Sequence, residues 1–335
     1  MKAFMKLALP GLVALTCPLF AQVKITQLKD RINVDIDGKP FTALFIGSDV
    51  VKPYLWPLRA ASGTQVTRQF PLEDAPGDSK DHPHHRGLAF GHADLNGLNY
   101  WANEAFNPGR KGKIVLDKVE RIDSGSKTGL IKASFNWVDG AGAPLLADTR
   151  SITFYSNPGV RMVDFDIVVR AIVTAKFGDT HEGSFGVRVA PWLEEPDPEY
   201  LPKAAGGETR PKEPKRTGLI SSSEGRKKEA EVRGTRANWA DYSGETPLGE
   251  KLGIAIFDPP GNPRHPTYWH TRGYGMFAAN IFGVKDLGKN QTEDGSMTLK
   301  PGEELRFRYR VVIHPGSAAE AQMDKMYADY AASMR

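Results

Sequence analysis

The chain has 335 residues, a formal net charge of +4, eight histidines and a single cysteine. That length can bury a sizeable core without disulfides, and one cysteine rules out a zinc site built on several thiolates. A near-neutral balance, with no basic stripe outside one loop, argues against a nucleic-acid partner.

The first element is an export signal. In "MKAFMKLALPGLVALTCPLFAQ", Lys2 and Lys6 flank the apolar stretch Leu7–Phe20, and Ala21 offers a small residue for cleavage. The pattern predicts a signal peptide over residues 1–21 and a periplasmic or secreted protein. Thr16 before Cys17 is a poor lipobox residue, so simple cleavage is expected ahead of lipid anchoring. Removing 21 of 335 residues leaves 314 and lowers the charge from +4 to +2, because the segment holds two lysines and no acid. No later stretch approaches the ~20 apolar residues of a membrane helix, so no stable membrane insertion is expected.

From Val23 onward the chain reads as short β-rich runs separated by turn signals. "RINVDIDG" alternates apolar and polar residues and stops at Asp37-Gly38, a hairpin signal. Val163, Phe165, Ile167 and Val169 fall on one face of the longest such run. The number of runs, punctuated by 34 Gly and 24 Pro, predicts an all-β fold: a large antiparallel β-sandwich. Residues 194–237 form a polar excursion, with Glu194–Arg216 expected to be solvated and a hairpin expected from Gly218. The tail "SAAEAQMDKMYADYAASMR" is the one predicted α-helix, with Ala319, Met323, Met326 and Tyr330 on its packed face. Without an internal repeat or sharp boundary, residues 22–335 are expected to form one domain.

Chemistry concentrates in three stretches. "DHPHHRGLAFGHADLNGLNYW" (81–101) carries His82, His84, His85 and His92, half of the chain's histidines. If it is extended, His84 and Arg86 project together into one cleft, with Leu88, Phe90 and His92 on the same side. "GDTHEGSFGVRVAPW" adds His181 and Glu182, a plausible acid/base pair, ahead of Arg188. "FDPPGNPRHPTYWHTRGYGMFAANIFG" (257–283) ends a strand at Asp258, then presents His265, Tyr268, Trp269, His270, Arg272 and Asn280.

Aromatic faces mixed with His, Arg, Asn and Asp suit sugars, whose C–H patches and hydroxyls need both. Trp239, Asp241 and Tyr242, with Asn96 and Trp101, have the same character. The expectation is a carbohydrate or glycoside partner. His84, His85, His181, Glu182, Asp258 and His270 are the candidate catalytic groups. Arg86, Asn96, Trp101, Trp239, Asp241, Trp269, Arg272 and Asn280 are the candidates for holding the sugar. Stretches 81–101 and 257–283 are expected to line one cleft. Two other classes stay open: a non-catalytic sugar-binding protein, and a metal-dependent oxidoreductase using His82, His84, His85, His92 and His181. No HExxH spacing supports the metal, and Arg86 inside the cluster opposes a dication. No P-loop, GxSxG elbow or dinucleotide GxGxxG after a strand is present, which sets aside a kinase, a serine hydrolase and a Rossmann dehydrogenase and leaves the cofactor open.

Taken together, "YLWPLRAASGTQVTR", "DHPHHRGLAFGHADLNGLNYW", "WADYSG", "HPTYWHTRGYGMFAANIFG" and "LKPGEELRFRYRVVIH" resemble the bacterial PmoA-like family, also catalogued as a domain of unknown function. The resemblance covers nearly the whole chain after residue 21, and the family's label implies a metal-dependent oxygenase. The final "LKPGEELRFRYRVV" is similar to the closing strands of galactose-mutarotase-like supersandwiches. That second, shorter likeness implies a supersandwich whose relatives bind or transform carbohydrates.

Overall fold

The computed structural model describes residues 22–105, 109–197, 211–288 and 292–334. The predicted signal peptide and the middle of the polar excursion lie outside the described residues.

Alternation of apolar and polar side chains produces strands throughout. They are β1 (Val23–Gln27), β2 (Arg31–Ile36), β3 (Lys39–Phe45), β4 (Tyr54–Trp56), β5 (Leu88–His92), β6 (Lys113–Asp123), β7 (Thr128–Val138), β8 (Pro144–Asn157) and β9 (Val160–Ala171). Next come β10 (Ala175–Phe177), β11 (Gly183–Arg188), β12 (Leu219–Ser222), helix α1 (Lys228–Val232), β13 (Trp239–Glu245) and β14 (Lys251–Phe257). The chain closes with β15 (Tyr268–Thr271), β16 (Met276–Asn280), α2 (Val284–Leu287), β17 (Met297–Leu299), β18 (Glu304–Pro315) and α3 (Met323–Ala332).

Two eight-stranded antiparallel sheets result. One runs β1-β2-β3-β4-β5-β11-β16-β15 and the other β12-β13-β14-β18-β9-β8-β7-β6. This is the all-β sandwich the alternation predicts. Val163, Phe165, Ile167 and Val169 are all buried between the sheets. Aromatic contacts join the two layers: Phe185 of β11 stacks on Tyr309 of β18 at 4.5 Å, and Phe90 of β5 meets Trp137 of β7 edge-on at 5.9 Å. Such ring pairs add about 0.5–1.5 kcal/mol each beyond their area burial.

Two expectations need correction. The C-terminal helix begins at Met323, with Ala319 exposed before it; Met323 and Tyr330 pack with Trp239, Phe257 and Val312 on the outer face of the second sheet. The described ends of the polar excursion are only partly solvated: Pro196, Asp197, Lys212, Glu213 and Lys215 are exposed. Glu194, Glu195 and Arg216 are buried, and Arg216 reaches Glu194 at 3.4 Å. Buried charges of this kind require partners, which adjacent sequence does not reveal. The second half does pair: β12 lies antiparallel to β13, with α1 between them.

The outer face of the first sheet positions the site. Inner positions on β5, β11 and β16 carry Phe90, Phe185 and Phe277, all in the core. Several alternate positions are small, Ala89, Gly91, Gly186 and Ala278, beside the larger Arg188 and Met276. This low floor leaves room for side chains delivered by loops.

Candidate functional site

The loop carrying the histidines is tied down by two buried guanidiniums. Arg68 donates to the carbonyls of Ser79, Asp81 and His82 and, at 2.8 Å, to Asp81 Oδ1. Arg188, on the outer face of β11, donates to both Asp81 oxygens at 2.9 and 3.2 Å. Burial alone would raise the Asp81 carboxyl, but Arg188, the His82 hydrogen bond and Arg68 hold it well below the usual carboxylate range.

Above this anchor the rings form a layered stack. His82, in a left-handed backbone conformation at φ 40°, lies parallel to His85 at 4.9 Å and to Tyr274 at 5.4 Å. Tyr274 in turn covers Arg188 and Arg272, whose guanidinium carbons sit 4.6 and 5.3 Å from its ring centre. His84 packs edge-on against His85 at 4.3 Å, and Trp101 closes the wall 6.1 Å from His85.

His84 and His85 are the centre of the site. Both are buried, and His84 Nδ1, His84 Nε2 and His85 Nδ1 have no hydrogen-bond partner in the protein. Burial first, then Lys52 and the neighbouring cations, pulls His84 down to about 2; burial and then His84 hold His85 well below its ordinary value. Both imidazoles are therefore neutral at pH 7. Glu182 approaches from the loop before β11, its Oε2 4.0 Å from His84 Nε2 and also without a hydrogen bond. One ligand atom from each of His84, His85 and Glu182 lies within 4.8 Å of the others, so among the described residues these three could hold a metal.

A second chain of groups continues outward. Glu182 Oε1 meets His181 Nε2 at 3.4 Å, and His181 Nδ1 contacts Asp286 Oδ2. The Glu182 hydrogen bond, against the opposing effect of burial, raises His181, with the charges of Glu182 and Asp286 adding to it. His270, on the outer face of β15, sits edge-on to His181 at 4.9 Å; burial and then His181 keep it neutral.

On the opposite side, buried Lys52 pairs with Glu104 at 2.8 Å, and Arg86 lies 3.8 Å from the same carboxylate oxygen. Arg86 Nε and Glu104 Oε2 have no hydrogen-bond partner, and neither does Ser184 Oγ on the outer face of β11. Leaving one buried polar group unpaired costs about 1–3 kcal/mol. Several of them converging on one place mark a surface built for a polar ligand. The recess among Lys52, His84, His85, Arg86, Trp101 and Met276 has a volume of ≈ 10 Å³. That is room for about one water molecule or ion, so a larger ligand would lie over the recess rather than in it.

The expected meeting of distant stretches is therefore partly realised. His84, His85, Arg86 and Trp101 from the first stretch join His181 and Glu182, with His270 and Arg272 from the third at the margin. The others lie elsewhere. Asp258 accepts from Asn262, His265 and the Thr267 backbone, organising its own loop at the end of β14. Trp269 faces the core and donates to the Ala237 carbonyl. Trp239 lies against α3, bonded to Asp324, and Asp241 is sealed in a pair with His314 at 2.8 Å. Asn96 and Asn280 bond to loop backbone, at Thr174 and Lys176 and at Thr180, Phe282 and Gly283 respectively.

The extended-strand expectation for residues 84–92 also needs correction. Gly87 has φ +59°, and a Cβ there would lie 2.2 Å from the Leu55 carbonyl oxygen. This kink ends the alternation, so Leu88, Phe90 and His92 face inward while His84 and Arg86 stand above the outer face. His92 packs on Phe177 and Phe282 and bonds the Gly178 carbonyl, away from the cluster. Sequence reading missed Lys52, Glu104, Tyr274 and the anchoring role of Asp81. Glu104 stands as a lone charge in "NYWANEAF", and Lys52 shares "DVVKPYLW" only with Asp49, the only local signal they carry.

Among solved structures, the chain is similar to a galactose mutarotase-like protein from Clostridium acetobutylicum. Identity is 10%, coverage is 88% of this chain and 98% of the other, and the TM-score is 0.38. A galactose mutarotase-like protein from Lactobacillus casei gives 9% identity, 87% and 100% coverage and a TM-score of 0.36. A GH36 α-galactosidase from Geobacillus stearothermophilus gives 10% identity, 88% of this chain and a TM-score of 0.35; the chain spans only 41% of that enzyme. No curated protein matches. By its sequence, over residues 31–328, the chain belongs to the family of unknown function DUF6807.

Proposed function

We propose that the cleft over the first sheet binds a carbohydrate or glycoside and carries out proton-transfer chemistry on it, in an exported protein. One observation carries this reading: His84, His85 and Arg86, each with an unpaired polar atom, line a recess walled by Trp101, and the carboxylates of Glu182 and Glu104 lie 4.0 and 3.8 Å from His84 and Arg86. Sugars combine an aromatic-compatible C–H face with a dense set of hydroxyls, and both halves find a counterpart here. His84, His85 and Arg86 hold the reacting edge. His181 and Glu182, backed by Asp286, are the groups placed to pass a proton to or from it.

The test is a panel of neutral and acidic glycosides, assayed for both binding and turnover. Loss of a general acid or base costs ~10²–10⁴ in rate. His181→Ala is therefore expected to lower turnover by that factor while sugar affinity stays within a few-fold. Binding without turnover of any glycoside would make the protein a sugar-binding module. Absence of both would remove the carbohydrate reading.

A further inference from the structure

We infer that His84, His85 and Glu182 form a binding site for one divalent first-row transition-metal ion of the zinc class. The inference concerns the same cleft as the carbohydrate reading but does not depend on it, because the ion is measured with no sugar present.

Geometry is the first support. One donor atom from each residue lies within 4.8 Å of the other two. Two ligands on 2.1 Å bonds at a tetrahedral angle sit ~3.4 Å apart, so side-chain adjustments of ~1 Å close the site. The donors are also available. His84 Nδ1 and Nε2, His85 Nδ1 and Glu182 Oε2 are buried with no hydrogen-bond partner in the protein, and His84 and His85 are only 8% and 6% exposed.

The donor set selects the ion. Two imidazoles and one carboxylate suit zinc and its neighbours, whereas calcium and magnesium prefer oxygen ligands throughout. Three protein ligands leave at least one coordination position; that is the arrangement of catalytic rather than structural zinc sites. An outer shell is present as well. Glu182 Oε1 meets His181, and His181 is held by Asp286.

Nearby cations are the main objection, since a dication beside them is unfavourable. The structure offsets it in part with carboxylates beside the cations: Glu104 at Lys52, Asp81 shared by Arg68 and Arg188, and Glu194 3.6 Å from Arg188. Arg86 shares Glu104 at 3.8 Å. With an ion in place, His84 and His85 act on a ligand through the metal, and His181 remains as the proton carrier.

The experiment uses the chain from Gln22 onward, stripped with a chelator and titrated with Zn²⁺ by calorimetry. Co²⁺ substitution, read by visible absorption, reports the coordination independently. One ion per chain is expected. Removing an outer-shell partner of a metal ligand weakens binding ~10–100-fold, so His181→Ala should lie in that range. His84→Ala, His85→Ala and Glu182→Gln should each lose at least as much, while His265→Ala leaves affinity unchanged. Circular dichroism of each variant checks folding, and near-isosteric Glu182→Gln guards against a trivial collapse. Failure of wild-type protein to take up Zn²⁺, or equal affinity in the folded His84, His85 and Glu182 variants, overturns the site. Zn²⁺ uptake without any glycoside binding would remove the sugar reading alone. Glycoside turnover by chelated protein that takes up no Zn²⁺ would remove the metal alone.

Discussion

Asp81 is the residue whose removal should damage the protein most for its size. Its carboxylate is 1% exposed and accepts from Arg68 and Arg188, two guanidiniums with fully buried side chains. Replacing it with alanine leaves both cations without their shared partner. Breaking a buried ion pair from one side costs about 3–5 kcal/mol. Local partners moderate the figure: Arg188 keeps Glu194 at 3.6 Å, and Arg68 keeps the carbonyls of Ser79 and His82. The expected loss for Asp81→Ala is therefore at the lower end, about 3 kcal/mol. Against a total of about 5–15 kcal/mol, that is a substantial fraction of the stability. Asp81→Asn, which keeps the shape and one acceptor oxygen, should lose less. Equilibrium urea unfolding followed by circular dichroism measures both. Because Asp81 also bonds His82, which stacks between His85 and Tyr274, site integrity should fall with stability. A loss below about 1 kcal/mol in Asp81→Ala would show that the loop is held by other contacts and refute the anchor.

Gly87→Ala should destabilise by at least ~1–2 kcal/mol, the cost of a left-handed non-glycine residue, with the contact to the Leu55 carbonyl adding to it. Urea unfolding unchanged from wild type would show that the kink is dispensable. His314, fully buried beside Asp241, has its pKa raised above the ordinary 6.5 by that carboxylate, despite the opposing effect of burial. A raised value means the pair's stabilisation is complete below pH 6.5 and is lost as pH rises through the folded value. The stability gap between wild type and His314→Gln should therefore shrink on going from pH 6 toward alkaline pH, and a gap that widens would reverse the assignment. Export with cleavage after Ala21 predicts that N-terminal sequencing of secreted or periplasmic protein begins at Gln22; intact Met1 in cytosolic material would contradict it.

What the sequence by itself determined is whatever rests on local periodicity. Alternation in stretches such as Val163–Val169 specifies strands with one apolar face, and enough such faces can only be buried against one another as a sandwich. The concentration of His82, His84 and His85 in four residues was equally visible, because neighbours in sequence must be neighbours in space. Tertiary structure decided which polar groups join them. Asp258, Asn280 and His181 look alike as polar residues near strand ends, yet Asp258 and Asn280 are engaged by their own turns and only His181 reaches the cluster. Lys52 and Glu104, 52 positions apart, become partners through the folding of loops around the first sheet. The inward or outward sense of residues 84–92 turned on one backbone torsion at Gly87, since a single kink exchanges the two faces of everything before it. Long-range burial and loop geometry, rather than residue type, therefore selected the members of the site.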